Sequence, residues 1–330
     1  MFEISASVGI DLGTANSLVY VKGKGIVLRE PSVVAINKVT DEVMAIGSEA
    51  QIMIGRTPDD ILAVRPLKDG VISNFDLTEE MIRQFLFKVI GRTFWFKPRV
   101  MICIPAQITP VELRAIQEAG EQAGAKKVTT IEEPLAAAIG AGLLVEEPTG
   151  NMVIDIGGGT CDIAVISLGG IVCSESIRVA GNKFDSDIMT YIKREHHLTI
   201  GECTAENIKM TIGAAYSGAR KLDMQVCGID LITGKPSNLT IYTEEIVTAL
   251  SASVSRIIEC VRRVLDNTPP ELSADILDRG IVLTGGGALL YGLDELIRRE
   301  TGGIPTMIAD DPLSCVAIGT GKALENAKNF

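Results

Sequence analysis

The chain has 330 residues, a hydrophobic fraction of 46% and a net charge of −11. Such a length suits two lobes better than one small core, and the acidic balance argues against a general nucleic-acid binder. Seven cysteines, an odd number with no Cys-x-x-Cys pair, argue against a disulfide framework or zinc site and for free thiols in a reducing cytosol. The N-terminus lacks the basic and apolar regions of a signal peptide. No apolar run reaches the length of a membrane span, so a cytoplasmic setting is expected.

Taken in chain order, residues 8–21 alternate in hydropathy and predict a hairpin around Gly13-Thr14-Ala15-Asn16. Short strands follow at 26–36 and 43–46. Residues 78–90 have helical periodicity, with Thr78 as N-cap and Glu79 and Glu80 at the positive helix end. Residues 100–104 read as a buried strand closed by Pro105, 110–123 as a helix, and Glu133-Pro134 opens another over 135–144. Residues 145–150 read as a hinge.

The pattern then restarts. A strand at 152–156 leads into Gly157-Gly158-Gly159, and a return strand follows at 162–168. Aligning Asp11 with Asp155 superimposes two strand–turn–strand units, a weak internal duplication. Helices are expected near 184–195, 204–217, 243–265 and 288–301, with a strand pair within 223–242. This mixture predicts a compact α/β body.

Three glycine-rich turns, each after an apolar run, carry the chemistry: Asp11-Leu12-Gly13-Thr14, Asp155-Ile156-Gly157-Gly158-Gly159-Thr160 and Thr284-Gly285-Gly286-Gly287. Glycine allows a tight turn and close approach to a ligand, and successive exposed N–H groups make a concave anion site. Ordinary two-residue hairpins favour Asn-Gly or Asp-Gly, and three consecutive glycines exceed that need. Asp11 and Asp155 stand where a carboxylate can hold a hydrated metal ion. Together the turns point to a nucleotide phosphate chain gripped between two halves. Gly319-Thr320-Gly321-Lys322 suggests a P-loop but lacks its first glycine and the Ser/Thr after Lys. His196 and His197, adjacent in a charged stretch, read as solvated.

These motifs resemble the actin / sugar-kinase / heat-shock-chaperone ATPase superfamily, and more narrowly the bacterial actins of the MreB/Mbl family. The resemblance runs nearly end to end. It includes Gly9-Ile10-Asp11-Leu12-Gly13-Thr14-Ala15-Asn16, Arg65-Pro66-Leu67-Lys68-Asp69-Gly70, Ile131-Glu132-Glu133-Pro134-Leu135-Ala136 and Leu283-Thr284-Gly285-Gly286-Gly287-Ala288-Leu289-Leu290.

The resemblance implies an actin-like two-lobed ATPase fold, each lobe a mixed sheet with flanking helices and a smaller outer subdomain. Lobe I is expected over 1–145 (outer part about 33–65) and lobe II over 146–330 (outer part about 182–245). A C-terminal helix over 315–330 is expected to pack back on lobe I. ATP and Mg²⁺ are the implied cofactors. Asp11 and Asp155 would hold the metal through water. Gly13, Thr14, Ala15 and Asn16 would bind β- and γ-phosphates with Gly158, Gly159 and Thr160. Glu206, Asn207, Ile208 and Lys209 would border ribose and base, and Gly286, Gly287, Ala288 and Leu289 the α-phosphate and nucleoside. From the sequence alone, Glu206 and Lys209 read as a solvated ion pair. Glu133, with Thr160, is the expected catalytic residue acting on the attacking water, Glu132 being its adjacent alternative. Cys161-Asp162 departs from the family's common Thr-Glu and shortens the acid by one methylene.

Phe94-Trp95-Phe96 holds the only Trp, in a stretch from Met81 to Arg99 with five basic residues and no acidic one. Aromatics among cations suit a lipid headgroup interface, and a filament displaying many such loops would gain by avidity. The expected function is an ATP-binding, slowly hydrolysing filament protein on the inner face of the cytoplasmic membrane. Its partners would be itself in paired protofilaments, that membrane and cell-wall elongation proteins, with a role in rod shape. The alternative is a soluble phosphotransferase or chaperone-type ATPase on the same fold, the latter needing a substrate-binding domain beyond Phe330.

Overall fold

The computed structural model describes residues 6–91 and 97–326; Phe94, Trp95 and Phe96 lie outside the described residues. Its architecture rests on two five-stranded sheets. The first comprises β1 (Ser7–Leu12), β2 (Asn16–Val21), β3 (Gly25–Pro31), β4 (Arg99–Ile104) and β5 (Lys127–Glu132), in the order β5-β4-β1-β2-β3. The second comprises β6 (Asn151–Ile156), β7 (Cys161–Ser167), β8 (Gly170–Ile177), β9 (Ile281–Thr284) and β10 (Thr306–Ile308), in the order β8-β7-β6-β9-β10. In each sheet the first strand is antiparallel to the second and parallel to the fourth. The duplication glimpsed at Asp11 and Asp155 therefore extends through both sheets. Asp11 lies opposite Leu18, and Asp155 opposite Asp162.

Every position of β6 is buried. A strand covered on both faces reads as a continuous apolar run, as Met152–Ile156 does. In chain order the helices of eight or more residues are α1 (Phe75–Ile90), α2 (Pro110–Gln122), α3 (Glu133–Gly140), α4 (Gly181–His196), α5 (Glu202–Ile212), α6 (Thr243–Asp266), α7 (Pro270–Arg279), α8 (Leu293–Glu300) and α9 (Cys315–Asn326). Phe184, Ile188 and Ile192 of α4 share one core with Ile246, Leu250 and Ile257 of α6 and with sheet two. Met81, Ile82 and Phe85 of α1 share another with sheet one. Each half also carries a three-stranded outer sheet, one around Val34–Asn37 and one around Asp223–Asp230.

Local chemistry shifts two of the expected elements and the setting of one residue. α1 starts at Phe75 because Asn74, not Thr78, is its N-cap: Leu77 N donates to Asn74 Oδ1 at 3.0 Å. Thr78 lies inside the helix and donates Oγ1 to the Asn74 carbonyl at 2.7 Å. The helix expected over 288–301 divides into a 3₁₀ turn, Gly286–Leu289, and α8, because Gly292 adopts φ 76° between them. His196, expected to be solvated, is partly buried and meets Glu245 at 2.5 Å.

α9 crosses α3 and packs on β1 and β2. The crossing is backbone to backbone. A Cβ on Gly319 would lie 1.7 Å from the Ala136 carbonyl oxygen, and one on Gly140 would lie 1.8 Å from that of Cys315. The Gly-Thr-Gly-Lys run that suggested a P-loop is thus a packing device. Among the described residues, no helix is long and apolar enough to cross a membrane.

Candidate nucleotide site

The β1–β2 and β6–β7 turns face each other across a cleft of about 620 Å³, with the Gly285–Gly287 turn along one wall. The first two turns meet closely. A Cβ on Gly158 would lie 2.7 Å from Ala15 Cβ, and one on Gly159 would lie 2.6 Å from Thr14 Oγ1. Gly285 has φ 78°, and a Cβ on Gly287 would lie 2.3 Å from Ile156 Cγ2. No larger residue fits these positions without displacing the opposite turn or the strand beneath. Gly13, Thr14, Ala15, Asn16, Gly158, Gly159, Thr160, Gly286, Gly287 and Leu289 all line the cleft.

Three carboxylates, Asp11, Asp155 and Glu133, line its base, and a fourth, Asp162, is buried opposite Asp155. Asp11 and Asp155 are the last residue but one of the two equivalent strands, and Glu133 opens α3. Burial raises Asp11 to about 6, against a hydrogen bond from Cys103. Burial raises Asp155 to about 7, against the Thr284 hydroxyl. Glu133 is pushed well above the usual range by burial and then by the charges of Asp162, Asp11 and Asp155. Asp162, fully buried, is also raised by burial, although Ser176, Thr160 and the Ala106 amide draw it down. Glu133 borders the cleft, whereas Glu132 ends β5 and stands at the N-cap position of α3 without a side-chain capping bond.

This donor set fits a hydrated cation. Among the described residues no three His, Cys, Asp or Glu side chains form a direct metal cage. Magnesium keeps several of its waters and takes one or two carboxylates together with phosphate oxygens. Two desolvated carboxylates, one from each lobe, meet that requirement.

α5 forms a further wall through Glu206, Lys209 and Met210. Lys209 pairs with Asp185 rather than Glu206: its Nζ donates to Asp185 Oδ2 at 3.0 Å and to the Gly181 carbonyl at 3.2 Å. Asn207 and Ile208 do not line the cleft; Asn207 accepts from Thr211 Oγ1, and Ile208 is buried in the core of sheet two. Ala288 is buried in the same core. Several lining residues escaped the sequence reading. Arg29, Asn182, Met210 and Leu313 are among them, as is Gly70, whose N–H donates to Thr14 Oγ1 at 3.0 Å. Asp69 and Gly70 both have positive φ, 51° and 79°, in a two-residue hairpin turn. An Asp-Gly pair between apolar residues is the standard signal for that turn and could have located it.

Of the five cations near the aromatic triplet, Arg83 is paired with Glu79 and Glu80, and Lys88 with Glu30. The basic character of that stretch is therefore partly neutralised.

The model of the MreB/Mbl protein family matches residues 5–330. The cell shape-determining protein Mbl of Bacillus cereus is 54% identical over 97% of this chain and 96% of its own length. The cell shape-determining protein MreB of Escherichia coli K12 is 52% identical over 97% and 94%. Among solved structures, MreB5 of Spiroplasma citri bound to AMPPNP is similar with a TM-score of 0.94 at 40% identity, covering 99% of this chain and 98% of that one. The MamK double helical filament shares the fold, with a TM-score of 0.83 at 22% identity over 98% and 99%. Near end-to-end correspondence in sequence and in fold shows that this two-lobed, actin-like chain belongs to the MreB/Mbl family.

Proposed function

We propose that the chain binds Mg-ATP between its lobes, hydrolyses it slowly, and polymerises head to tail into paired protofilaments on the inner face of the cytoplasmic membrane. There it organises cell-wall synthesis and rod shape with the cell-wall elongation machinery. The observation that carries this reading is the meeting of two glycine turns, one per lobe, directly above the facing carboxylates Asp11 and Asp155. The relatives named as cell shape-determining proteins and the Spiroplasma structures bound to AMPPNP and ADP support it. The lobes divide at residues 145–146, with outer subdomains at about 33–65 and 182–245.

Gly13–Asn16 and Gly158–Thr160 would clasp the β- and γ-phosphates with backbone N–H groups and hydroxyls. The glycine turn Gly285–Gly287 would pass the α-phosphate. Glu206 and Lys209 would border the ribose, with Met210, Leu289 and Leu313 offering apolar surface to the base. Asp11 and Asp155 would hold magnesium through water; when bound, the ion supplies positive charge against the phosphate oxygens. Glu133 is suited to general-base work because its raised proton affinity makes its carboxylate a stronger base once an incoming cation has released its proton. Thr160 would help orient the attacking water. Phosphoryl transfer needs mainly positioning and charge neutralisation, so neither His nor a Cys nucleophile is required.

The test is sedimentation with electron microscopy, with and without Mg-ATP and anionic liposomes. Nucleotide-dependent filaments that decorate liposomes, and lose them on Trp95→Ser, are expected. Monomers under every condition, despite nucleotide binding, would shift the reading to a soluble phosphotransferase.

A further inference from the structure

In sheet two, β9 runs parallel to β6 and sets Thr284 in register with Asp155. Thr284 is fully buried, and its Oγ1 donates to Asp155 Oδ1 at 2.8 Å. In sheet one, β4 holds the place of β9 and runs parallel to β1, with Ile102 opposite Ile10. One residue further along both strands, Cys103 comes beside Asp11. Its Sγ lies 3.3 Å from Asp11 Oδ1, and the residue is 2% exposed. The Leu12 backbone N–H is directed to the same sulfur, which leaves the thiol hydrogen for the carboxylate. Enclosed and directed at the carboxylate, the thiol serves as a donor and not as a nucleophile.

We propose that Cys103 and Thr284 are a matched pair of positioning residues, one per lobe, each fixing the aspartate that would hold the hydrated magnesium ion. Each donor ties down Oδ1 from the neighbouring parallel strand. The carboxylate then meets the cleft in one orientation. An unheld aspartate would have to be ordered by the incoming ion, and affinity would fall accordingly. The proposal rests on the reading of Asp11 and Asp155 as the magnesium-holding pair. A purely structural thiol in this place would contribute packing and no selectivity for the metal-bound nucleotide.

The experiment measures ATP affinity with magnesium and with EDTA in the full chain and reads their ratio. Cys103→Ala should reduce the magnesium-dependent gain about 3- to 10-fold, the range of one modest hydrogen bond, and leave the EDTA affinity unchanged. Cys103→Ser, which retains a donor, should restore the ratio to within about twofold of the parent. Thr284→Val should lower it further, as expected of a stronger hydroxyl donor, and Thr284→Ser should keep it. Equal losses in magnesium and EDTA, or Cys103→Ser falling as far as Cys103→Ala, would overturn the positioning role. Asp11→Asn separates the two levels. If it retains the full magnesium gain, the metal reading itself fails; if it loses the gain while Cys103→Ala keeps it, only the present proposal fails.

Discussion

At Glu133, burial and the three neighbouring carboxylates act in the same direction and favour the protonated form. A positive charge entering the cleft would reverse the local potential and release that proton, leaving a base at the cleft wall. Glu133→Gln keeps the shape and removes the basicity. Hydrolysis should fall about 10²- to 10⁴-fold, the usual share of general-base catalysis, while ATP affinity should hold or improve as one negative charge is lost. Single-turnover phosphate release and nucleotide titration measure the two separately; an equal loss in both would deny Glu133 a catalytic role. At this scale the sequence was legible where the signal was local, as at Asp11, Asp155 and their glycines. It failed where partners are far apart in the chain. Asp185 and Lys209 lie on α4 and α5, and no periodicity links them. Asn207 and Ile208 were expected in the site as part of a contiguous run. A helix turns successive residues to different faces, so α5 presents Glu206, Lys209 and Met210 to the cleft and turns Ile208 to the core.

At the level of elements, the crossing of α3 and α9 joins the middle and end of the helix that Glu133 opens to α9. Both crossing points are glycines with no room for a side chain. In an isolated helix, Gly319→Ala would be favourable by about 1 kcal/mol. Here the added methyl meets the Ala136 carbonyl and must push the helices apart. Overpacking of this kind costs about 1–3 kcal/mol, so the variant should be less stable in urea than the parent despite its better helix propensity. A gain in the unfolding midpoint would show that the crossing is slack. The sequence argued against a P-loop here, since the first glycine and the Ser/Thr after Lys are missing, but it left the glycines without a role; only the neighbour across the gap shows that they serve helix packing. The start of α1 failed for a related reason. Thr78 and Asn74 are both capping residues, and the cap falls to the side chain that reaches a free N–H, that of Leu77.

Across the whole molecule, the duplication was visible only at the two Asp-glycine turns, because the fourth and fifth strands of sheet two follow a long excursion through α4 to α7. Only the sheet order reveals that both lobes repeat one plan. That plan brings one aspartate from each lobe to the cleft, Asp155 buried and Asp11 partly so, and this makes stability depend on pH. Asp11 titrates at about 6 and Asp155 at about 7, both above the ordinary carboxyl value of 3.8. The folded chain therefore binds more protons than the unfolded chain between about pH 4 and pH 7, and linkage makes the contribution of these two groups fall as pH rises through that window. Magnesium-nucleotide must displace the same protons, so its binding strengthens as pH rises. The increase in melting temperature caused by Mg-ATP should thus grow from about pH 6 to about pH 8, since the stabilisation by a ligand selective for the folded state rises with its affinity at fixed concentration. Thermal melts at three pH values, with and without Mg-ATP, measure this increase. Asp155→Asn removes the higher of the two titrations and should flatten the fall in nucleotide-free stability between about pH 6 and about pH 8. A ligand-induced shift that stays constant from pH 6 to pH 8 in the parent chain would mean that the carboxylates at the cleft base do not take part in binding the metal-nucleotide.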